Sequence, residues 1–141
     1  MFYVDTSVLV AALTAEGETK RAQKWLSEQA PGEIAISNWT ITEFSSALSI
    51  KLRTGQLDLK NRDEALSTFH RIVTESFKLF PVSNIQFSQA AKLADQHDLG
   101  LRAGDALHLA VVLDTGTTMC TLDKRFAYAA DALGARVHQP H

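Results

Sequence analysis

The sequence lacks several features that would place a chain of this size in a common class. Its 141 residues include a single cysteine, Cys120. One thiol forms neither an internal disulfide nor a zinc site built on paired cysteines. No apolar run approaches the roughly 20 residues that span a bilayer, and Met1 leads directly into an apolar segment. We therefore expect a cytoplasmic protein without a cleaved signal, in which Cys120 is buried in the core.

An excess of positive charge is also missing. Lys and Arg together number 14 against 16 Asp and Glu, for a formal net charge of -2. Nucleic-acid binding normally leaves a basic footprint, so this balance argues against a large static RNA interface. It does not exclude an enzyme that cleaves phosphodiesters, because clustered carboxylates lower the net charge and a bound cation reverses the sign of the site.

The chain does contain a regular alternation of short apolar strands and amphipathic helices. We predict strands at 2–5, 34–36, 79–82, 118–122 and 136–138, and helices from about 7 and over 19–29, 40–55, 61–77, 86–97, 103–113 and 124–133. This order predicts an α/β fold of three α/β/α layers, with a central parallel sheet that helices cover on both faces. A hydrophobic content of 45% fits one domain over residues 1–141.

Four acidic residues fall where these predicted strands end or helices begin. Asp5 ends the first strand and Asp123 the fourth, while Glu43 and Asp105 are expected in the first turns of helices. Ligands bind outside the carboxyl ends of the strands in such sheets, so the topology would bring the four together. Singly, each has a plainer explanation, since Asp5 and Asp123 could cap helices and the other two could be first-turn acids favoured by the helix dipole.

Four carboxylates in one place require a cation or raised pKa values, because like charges repel and burying an unpaired charge is costly. Asp105 is the most informative of the four, since the segment from Ala103 to Leu113 is otherwise almost entirely apolar. Ligation by carboxylate oxygens suits Mg²⁺ or Mn²⁺, and the neighbouring Cys or paired His ligands that favour zinc are missing. A divalent ion held this way can activate a water and stabilise charge on a phosphodiester. One or two ions both fit the pattern.

Four segments resemble the signature segments of PIN-domain ribonucleases and, more narrowly, of the VapC toxins of type II toxin–antitoxin modules. They are Asp5 to Val10, the segment around Glu43, Arg102 to Ala110, and Thr121 to Phe126. The run Arg-Ala-Gly-Asp-Ala-Leu-His-Leu-Ala is the most specific part, and the resemblance covers essentially the whole chain.

The resemblance implies a PIN-like fold and a Mg²⁺-dependent endoribonuclease, with Mn²⁺ as a substitute ion. Its catalytic acids would be Asp5, Glu43, Asp105 and Asp123, of which Asp5 and Asp105 would bind the metal most directly. Ser7 or Thr6, after the first acid, and Thr121, before the last, would orient waters and carboxylates. Ser7 is also a plausible N-cap of the first helix, and the two roles are compatible.

The partners that the resemblance implies are an RNA substrate, a cognate VapB-type antitoxin and a second copy in a homodimer, with no membrane. The antitoxin would lay a helix or tail into an apolar groove and push a basic side chain into the acidic pocket. Two other interpretations stay open. One is a PIN nuclease outside a toxin–antitoxin module, and the other is a catalytically silent module of the same fold that binds RNA or protein.

Two further activities of strand-end carboxylates are disfavoured. A haloacid-dehalogenase-like phosphatase needs a second Asp where this chain has Ser7, and a receiver domain needs an acidic pair after the first strand. His108 lies three positions after Asp105, so it could contact that carboxylate or substrate, but we interpret it as a buried, hydrogen-bonded core residue.

The basic residues that flank two of the acids could hold the RNA backbone, which gives affinity without sequence information. They are Arg102, Lys124 and Arg125. For Arg102 a salt bridge is an equal alternative. Trp25 and Trp39 receive no functional role, because an aromatic residue at helical spacing is more often part of a core or an interface.

Overall fold

The computed structural model describes residues 1–141 and consists of a five-stranded sheet with seven α-helices. The strands are β1 (Phe2–Val4), β2 (Ile34–Ser37), β3 (Phe77–Phe80), β4 (Thr118–Cys120) and β5 (Val137–His138). The helices are α1 (Thr6–Leu13), α2 (Thr19–Ser27), α3 (Asn38–Arg53), α4 (Leu59–Ser76), α5 (Asn84–Ala94), α6 (Ala103–Thr115) and α7 (Lys124–Ala132). A 3₁₀ turn covers His97–Leu99. Each predicted element is present, with ends that shift by a few residues.

The strands lie in the order β3-β2-β1-β4-β5, and every neighbouring pair is parallel. Phe2 of the central strand β1 pairs with Ile34 on one side and with Thr118 on the other, and Val4 pairs with Cys120. Because all five strands run in the same direction, the carboxyl ends of β1, β2 and β4 meet at one edge of the sheet. The predicted parallel α/β sheet is confirmed.

Alternate residues of the central strands pack against different helical layers. Val4 and Cys120 belong to a buried cluster that includes side chains of α1, α2, α3 and α4. Tyr3 and Met119, one position earlier on each strand, belong to a second cluster with α6 and α7. This period-2 alternation places helices on both faces of the sheet, as predicted. Cys120 is fully buried, which confirms its expected place in the core.

The structure corrects several local predictions. The N-cap of α1 is Asp5 rather than Thr6 or Ser7, and the Asp5 side chain makes no capping hydrogen bond. Helix α3 begins at Asn38, so Glu43 lies in its second turn and not in the first. Strand β4 ends at Cys120, and Asp123 is therefore the N-cap of α7 instead of a strand residue.

Helical spacing in the sequence predicts that Phe87, Ala90, Ala91 and Ala94 of α5 are buried, and this prediction is partly wrong. Ala90 is buried, but Phe87 is 55% exposed and Ala91 is exposed. Helical periodicity marked one apolar face, but it cannot show how much of that face a neighbouring helix covers. Helix α5 packs on α6 through small residues.

No helix has both the length and the apolar character that crossing a membrane requires.

Candidate metal centre

An open cleft of about 550 Å³ lies at the carboxyl edge of the sheet, and all four predicted acids line it. Asp5 directly follows β1, and Asp123 follows β4 after two intervening residues. Glu43 comes from α3, the helix that leaves β2, and Asp105 from the first turn of α6. The residues lie far apart in the sequence, and the parallel topology brings them together.

The carboxylate of Asp5 is held by two hydroxyl groups. Ser7 Oγ donates to Asp5 Oδ2 over 2.8 Å, and Thr121 Oγ1 donates to the same oxygen over 2.9 Å. The side chain is nearly buried, with 6% of the residue exposed. Burial raises the pKa of Asp5 and the negative charge of Glu43 adds to the effect, although His108 and the two hydroxyls oppose it. Negative charge at this position is therefore costly in the protein alone.

Glu43 is stabilised as a carboxylate by donors on one of its oxygens. Thr6 Oγ1 donates to Glu43 Oε1 over 2.7 Å, and His108 Nε2 contacts the same atom. Burial favours the neutral acid, but the hydrogen bond and charge of His108, together with Thr6, lower the pKa of Glu43 below its usual value. The pKa values of Glu43 and Asp5 are thus shifted in opposite directions within the same cleft.

Asp105 has the least compensation among the cleft acids. Burial, followed by the negative charges of Asp5, Asp123 and Glu43, raises its pKa to about 6, and only His108 opposes this. The raised pKa of Asp105 indicates that the protein alone does not fully stabilise this carboxylate against its burial and its acidic neighbours.

Asp123 sits at the exposed rim and also caps a helix. Its Oδ1 accepts hydrogen bonds from the backbone N–H groups of Arg125 over 2.9 Å and Phe126 over 3.1 Å. The prediction that Asp123 could cap a helix is therefore confirmed. It coexists with a position in the cleft beside the other three acids.

His108 is fully buried and hydrogen-bonded, as interpreted from the sequence. Its partners are Glu43, the hydroxyl of Tyr3, which lies 2.6 Å from Nδ1, and the more distant Thr6 Oγ1, 3.4 Å from Nε2, rather than Asp105. Asp5, Glu43 and His108 each offer a ligand atom, and these atoms lie within 4.8 Å of one another, a grouping that could hold a metal ion. The pairing of His108 with Glu43, 65 positions away, was missed by sequence reasoning.

Gly104 is a second residue whose role was missed. A Cβ atom on Gly104 would lie 2.7 Å from Glu43 Oε2 and 3.3 Å from Trp39 Nε1. Only glycine allows α6 to approach α3 this closely. The signal was present in the sequence, since glycine inside a strong helical pattern often marks a close approach.

The flanking basic residues and the tryptophans occupy different places. Arg102 and Trp39 line the cleft itself. Arg125 borders a smaller cavity of about 40 Å³ that shares Asp105 and Asp123 with the cleft, whereas Lys124 lines neither of the two. Trp25 is buried and packs edge-on against Phe2.

The sequence matches the PIN domain family over residues 2–132. A comparison with curated proteins gives no match. Among solved structures, the fold is similar to VapC20 of Mycobacterium tuberculosis, a sarcin-ricin loop cleaving toxin, with a TM-score of 0.72, 19% identity and 96% coverage of both chains.

Two further solved structures have a similar fold. FitAcB from Neisseria gonorrhoeae aligns with a TM-score of 0.69 and 20% identity, covering 97% of this chain and 96% of the other. VapBC2 from Rickettsia felis, bound to a DNA fragment from its promoter, aligns with a TM-score of 0.68 and 14% identity over 100% of both chains. At these identities the likeness shows a shared fold.

Proposed function

The chain belongs to the PIN-domain family, and we propose that it is a Mg²⁺-dependent endoribonuclease, the toxin of a type II toxin–antitoxin pair. Members of this family are nucleases, and this chain has the family's α/β/α fold. The observation that carries the proposal is the meeting of Asp5, Glu43, Asp105 and Asp123 in one cleft.

The residues of the cleft fit a hard divalent cation. Carboxylate oxygens form most of the donor set, and Mg²⁺ and Mn²⁺ prefer such ligands. The raised pKa values of Asp5 and Asp105 fit as well, because a cation would offset both the burial and the repulsion between acids that raise them. Asp5 and Asp105 would hold the ion most directly, and Glu43 and Asp123 would complete the acidic site. When bound, such an ion supplies the Lewis acidity that activates water and stabilises charge on a phosphodiester.

The surrounding side chains have supporting tasks in this proposal. Ser7 and Thr121 fix the orientation of the Asp5 carboxylate, and Thr6 fixes that of Glu43. Groups that orient ligands in this way tune both the affinity and the geometry of a metal site. Arg102, which lines the same cleft, would contact the phosphate backbone of the RNA.

The proposed partners follow from the same assignment. Solved structures of similar fold include a toxin–antitoxin complex from Klebsiella pneumoniae and VapBC-5 of Mycobacterium tuberculosis, a member of a family of toxin–antitoxin systems, which supports a VapB-type antitoxin as the partner of this chain. We further propose that residues 1–141 form one PIN domain, that the protein acts in the cytoplasm and that it forms a homodimer.

The proposal is tested by RNA cleavage with protein that has been freed of any antitoxin. Wild type is expected to cut structured RNA with Mg²⁺ or Mn²⁺ and to lose this activity in EDTA. Asp5→Ala and Asp105→Ala should each reduce cleavage by more than the roughly 10- to 100-fold typical of groups that only support a ligand. Asp131→Ala is the matched control, because Asp131 is an exposed acid on α7 outside the cleft.

Two results would contradict the proposal. In the first, the wild-type protein cuts no RNA with either ion, and the wild type and its alanine variants are equally harmless to growing cells. The other is equal cleavage by wild type and Asp105→Ala. The toxin assignment is tested separately by co-expression with the product of the neighbouring reading frame, which should abolish both the cleavage and the growth defect.

A further inference from the structure

We propose that His108 and Tyr3 are positioning residues that fix the carboxylate of Glu43 through a buried chain of hydrogen bonds. The inference rests on the proposed function, because Glu43 is taken as part of the metal site. The chain of contacts itself can be tested without any metal.

The chain of contacts joins the central strand of the sheet to α6 and α3. Tyr3 and His108 both have 0% exposure. The Tyr3 hydroxyl lies 2.7 Å from Ser37 Oγ and 2.6 Å from His108 Nδ1. On the other side of the imidazole ring, Nε2 contacts Glu43 Oε1. Each polar atom along this path therefore has a partner in the protein.

The chemistry of the end groups sets the direction of the last hydrogen bond. An ionised carboxylate only accepts hydrogen bonds, so His108 Nε2 must carry the hydrogen that it shares with Glu43. The lowered pKa of Glu43 agrees with an ionised group at this position. When the ring is neutral, Nδ1 accepts from the Tyr3 hydroxyl. When the ring is doubly protonated, Nδ1 donates to the Tyr3 oxygen. Both states present the same Nε2–H donor to Glu43.

This arrangement makes His108 a support for a ligand rather than a ligand. Glu43 occupies Nε2 and Tyr3 occupies Nδ1, so neither ring nitrogen presents a free lone pair to a cation. A side chain with no exposed surface also does not touch RNA. Together with Thr6, which donates to the same oxygen, His108 holds Glu43 Oε1 from inside the protein.

Tyr3 combines a ring that packs in the core with a hydroxyl that forms hydrogen bonds. The ring packs in the core on the α6 and α7 side of the sheet, and the hydroxyl reaches the polar layer formed by Ser37, Thr40 and His108. Burial raises the pKa of Tyr3 well above its usual range, so the hydroxyl keeps its proton. Phenylalanine would fill the same space but leave Nδ1 without its partner, which is costly for a buried polar atom.

The first test reads the hydrogen bond directly in the metal-free wild-type protein. Long-range ¹H–¹⁵N correlation spectra distinguish protonated from unprotonated imidazole nitrogens. A protonated Nε2 on His108 is expected, with its signal identified by comparison with His108→Gln. An unprotonated Nε2 would overturn the proposal, because no hydrogen bond to the carboxylate could then exist.

The second test measures Mn²⁺ affinity by electron paramagnetic resonance. His108→Leu removes the donor and should weaken binding by about 10- to 100-fold, the range typical of groups that orient a ligand. His108→Gln keeps an N–H near the position of Nε2, so its affinity should stay within about threefold of wild type. Tyr3→Phe should fall between these two variants. His97→Leu is the control, because His97 is exposed outside the cleft.

The outcomes separate this inference from the proposed function. The positioning role alone is refuted if wild type and His108→Leu bind Mn²⁺ with equal affinity. It is also refuted if the Mn²⁺ affinity of His108→Gln is as low as that of His108→Leu. Wild type that binds no Mn²⁺ refutes the metal site of the proposed function. If His108→Leu does not fold, His108→Gln and Tyr3→Phe decide the question together with the spectrum of the wild type.

Discussion

Neighbouring carboxylates in the cleft differ in how the protein supports them. Two hydroxyl groups hold Asp5, and a hydroxyl and an imidazole hold Glu43, whereas only the charge of His108 favours the ionised form of Asp105. The pKa of Asp105 reaches about 6 as a result. These differences suit a site in which some ligands are fixed before a cation arrives, while another gains its full charge in the presence of the cation.

Gly104 gives a prediction at the scale of a single atom. Gly104→Ala places a Cβ 2.7 Å from Glu43 Oε2, so the Glu43 carboxylate has to shift, which disturbs the contacts of its Oε1 with His108 and Thr6. We expect Mn²⁺ affinity and RNA cleavage each to fall by about 10-fold, the lower end of the range for a misplaced ligand. Helix propensity alone would favour alanine by about 1 kcal/mol. Titration calorimetry and the cleavage assay measure the effect.

Gly17→Ala is the matched control for this substitution. A Cβ at Gly17 meets no atom within 4 Å, and its backbone is outside the left-handed region. This variant should keep wild-type affinity and activity. Wild-type Mn²⁺ affinity in Gly104→Ala would show that the position of Glu43 is not important for the site.

At the scale of elements, three of the acids lie at or near the starts of helices, and Glu43 lies one turn further along α3. Asp5 stands between β1 and α1, and Asp123 between β4 and α7. Asp105 lies in the first turn of α6, and the residues that follow it, from Ala106 to Val112, are buried. Asp5 follows β1 directly and Asp123 follows β4 after two intervening residues, so the geometry of the cleft depends on the register of β1 with its neighbours.

Asp123 combines a structural and a proposed chemical role, and two substitutions separate them. Asp123→Ala removes the cap that Oδ1 gives to the Arg125 and Phe126 N–H groups. We expect it to lower the free energy of unfolding by about 1 kcal/mol, as for other N-caps. Asp123→Asn keeps a good capping residue and should unfold like wild type. Urea denaturation measures this difference.

RNA cleavage by the same two variants tests the charge of Asp123. Both should lose activity to a similar extent, because both remove the negative charge from the rim of the cleft. An Asp123→Asn variant with full activity would restrict the role of this residue to capping α7.

Much of this arrangement was predictable from local sequence patterns. Strand and helix periodicity indicated each element, and a parallel sheet then required Asp5, Glu43, Asp105 and Asp123 to share an edge. Element ends were less accurate. The helix that carries Glu43 begins two residues before the predicted start at Thr40, because Asn38 and Trp39 are not distinguished from a loop by apolar periodicity.

Contacts between distant residues were not predictable from one sequence. The hydrogen bond between His108 and Glu43 depends on how α6 packs against α3, which no local pattern encodes. The predicted burial of Phe87 was wrong for a related reason, since amphipathic spacing gives the direction of a face but not the area that a partner covers.

At the scale of the whole molecule, family membership and electrostatics agree. The match to the PIN domain covers residues 2–132, and it therefore includes all four acids and His108. The formal net charge of -2 remains compatible with an RNA substrate, because the acidic cluster accounts for part of the negative charge and would be compensated by a cation. The central claim is that this cluster is a divalent-metal site.

The most direct test of that claim is a calorimetric titration of Mn²⁺ into purified wild type, Asp5→Ala and the control Asp131→Ala. We predict that wild type and Asp131→Ala bind Mn²⁺ with the same affinity and that Asp5→Ala loses more than about 100-fold, beyond the range for a merely supporting group. Equal affinity in wild type and Asp5→Ala would contradict the proposed site.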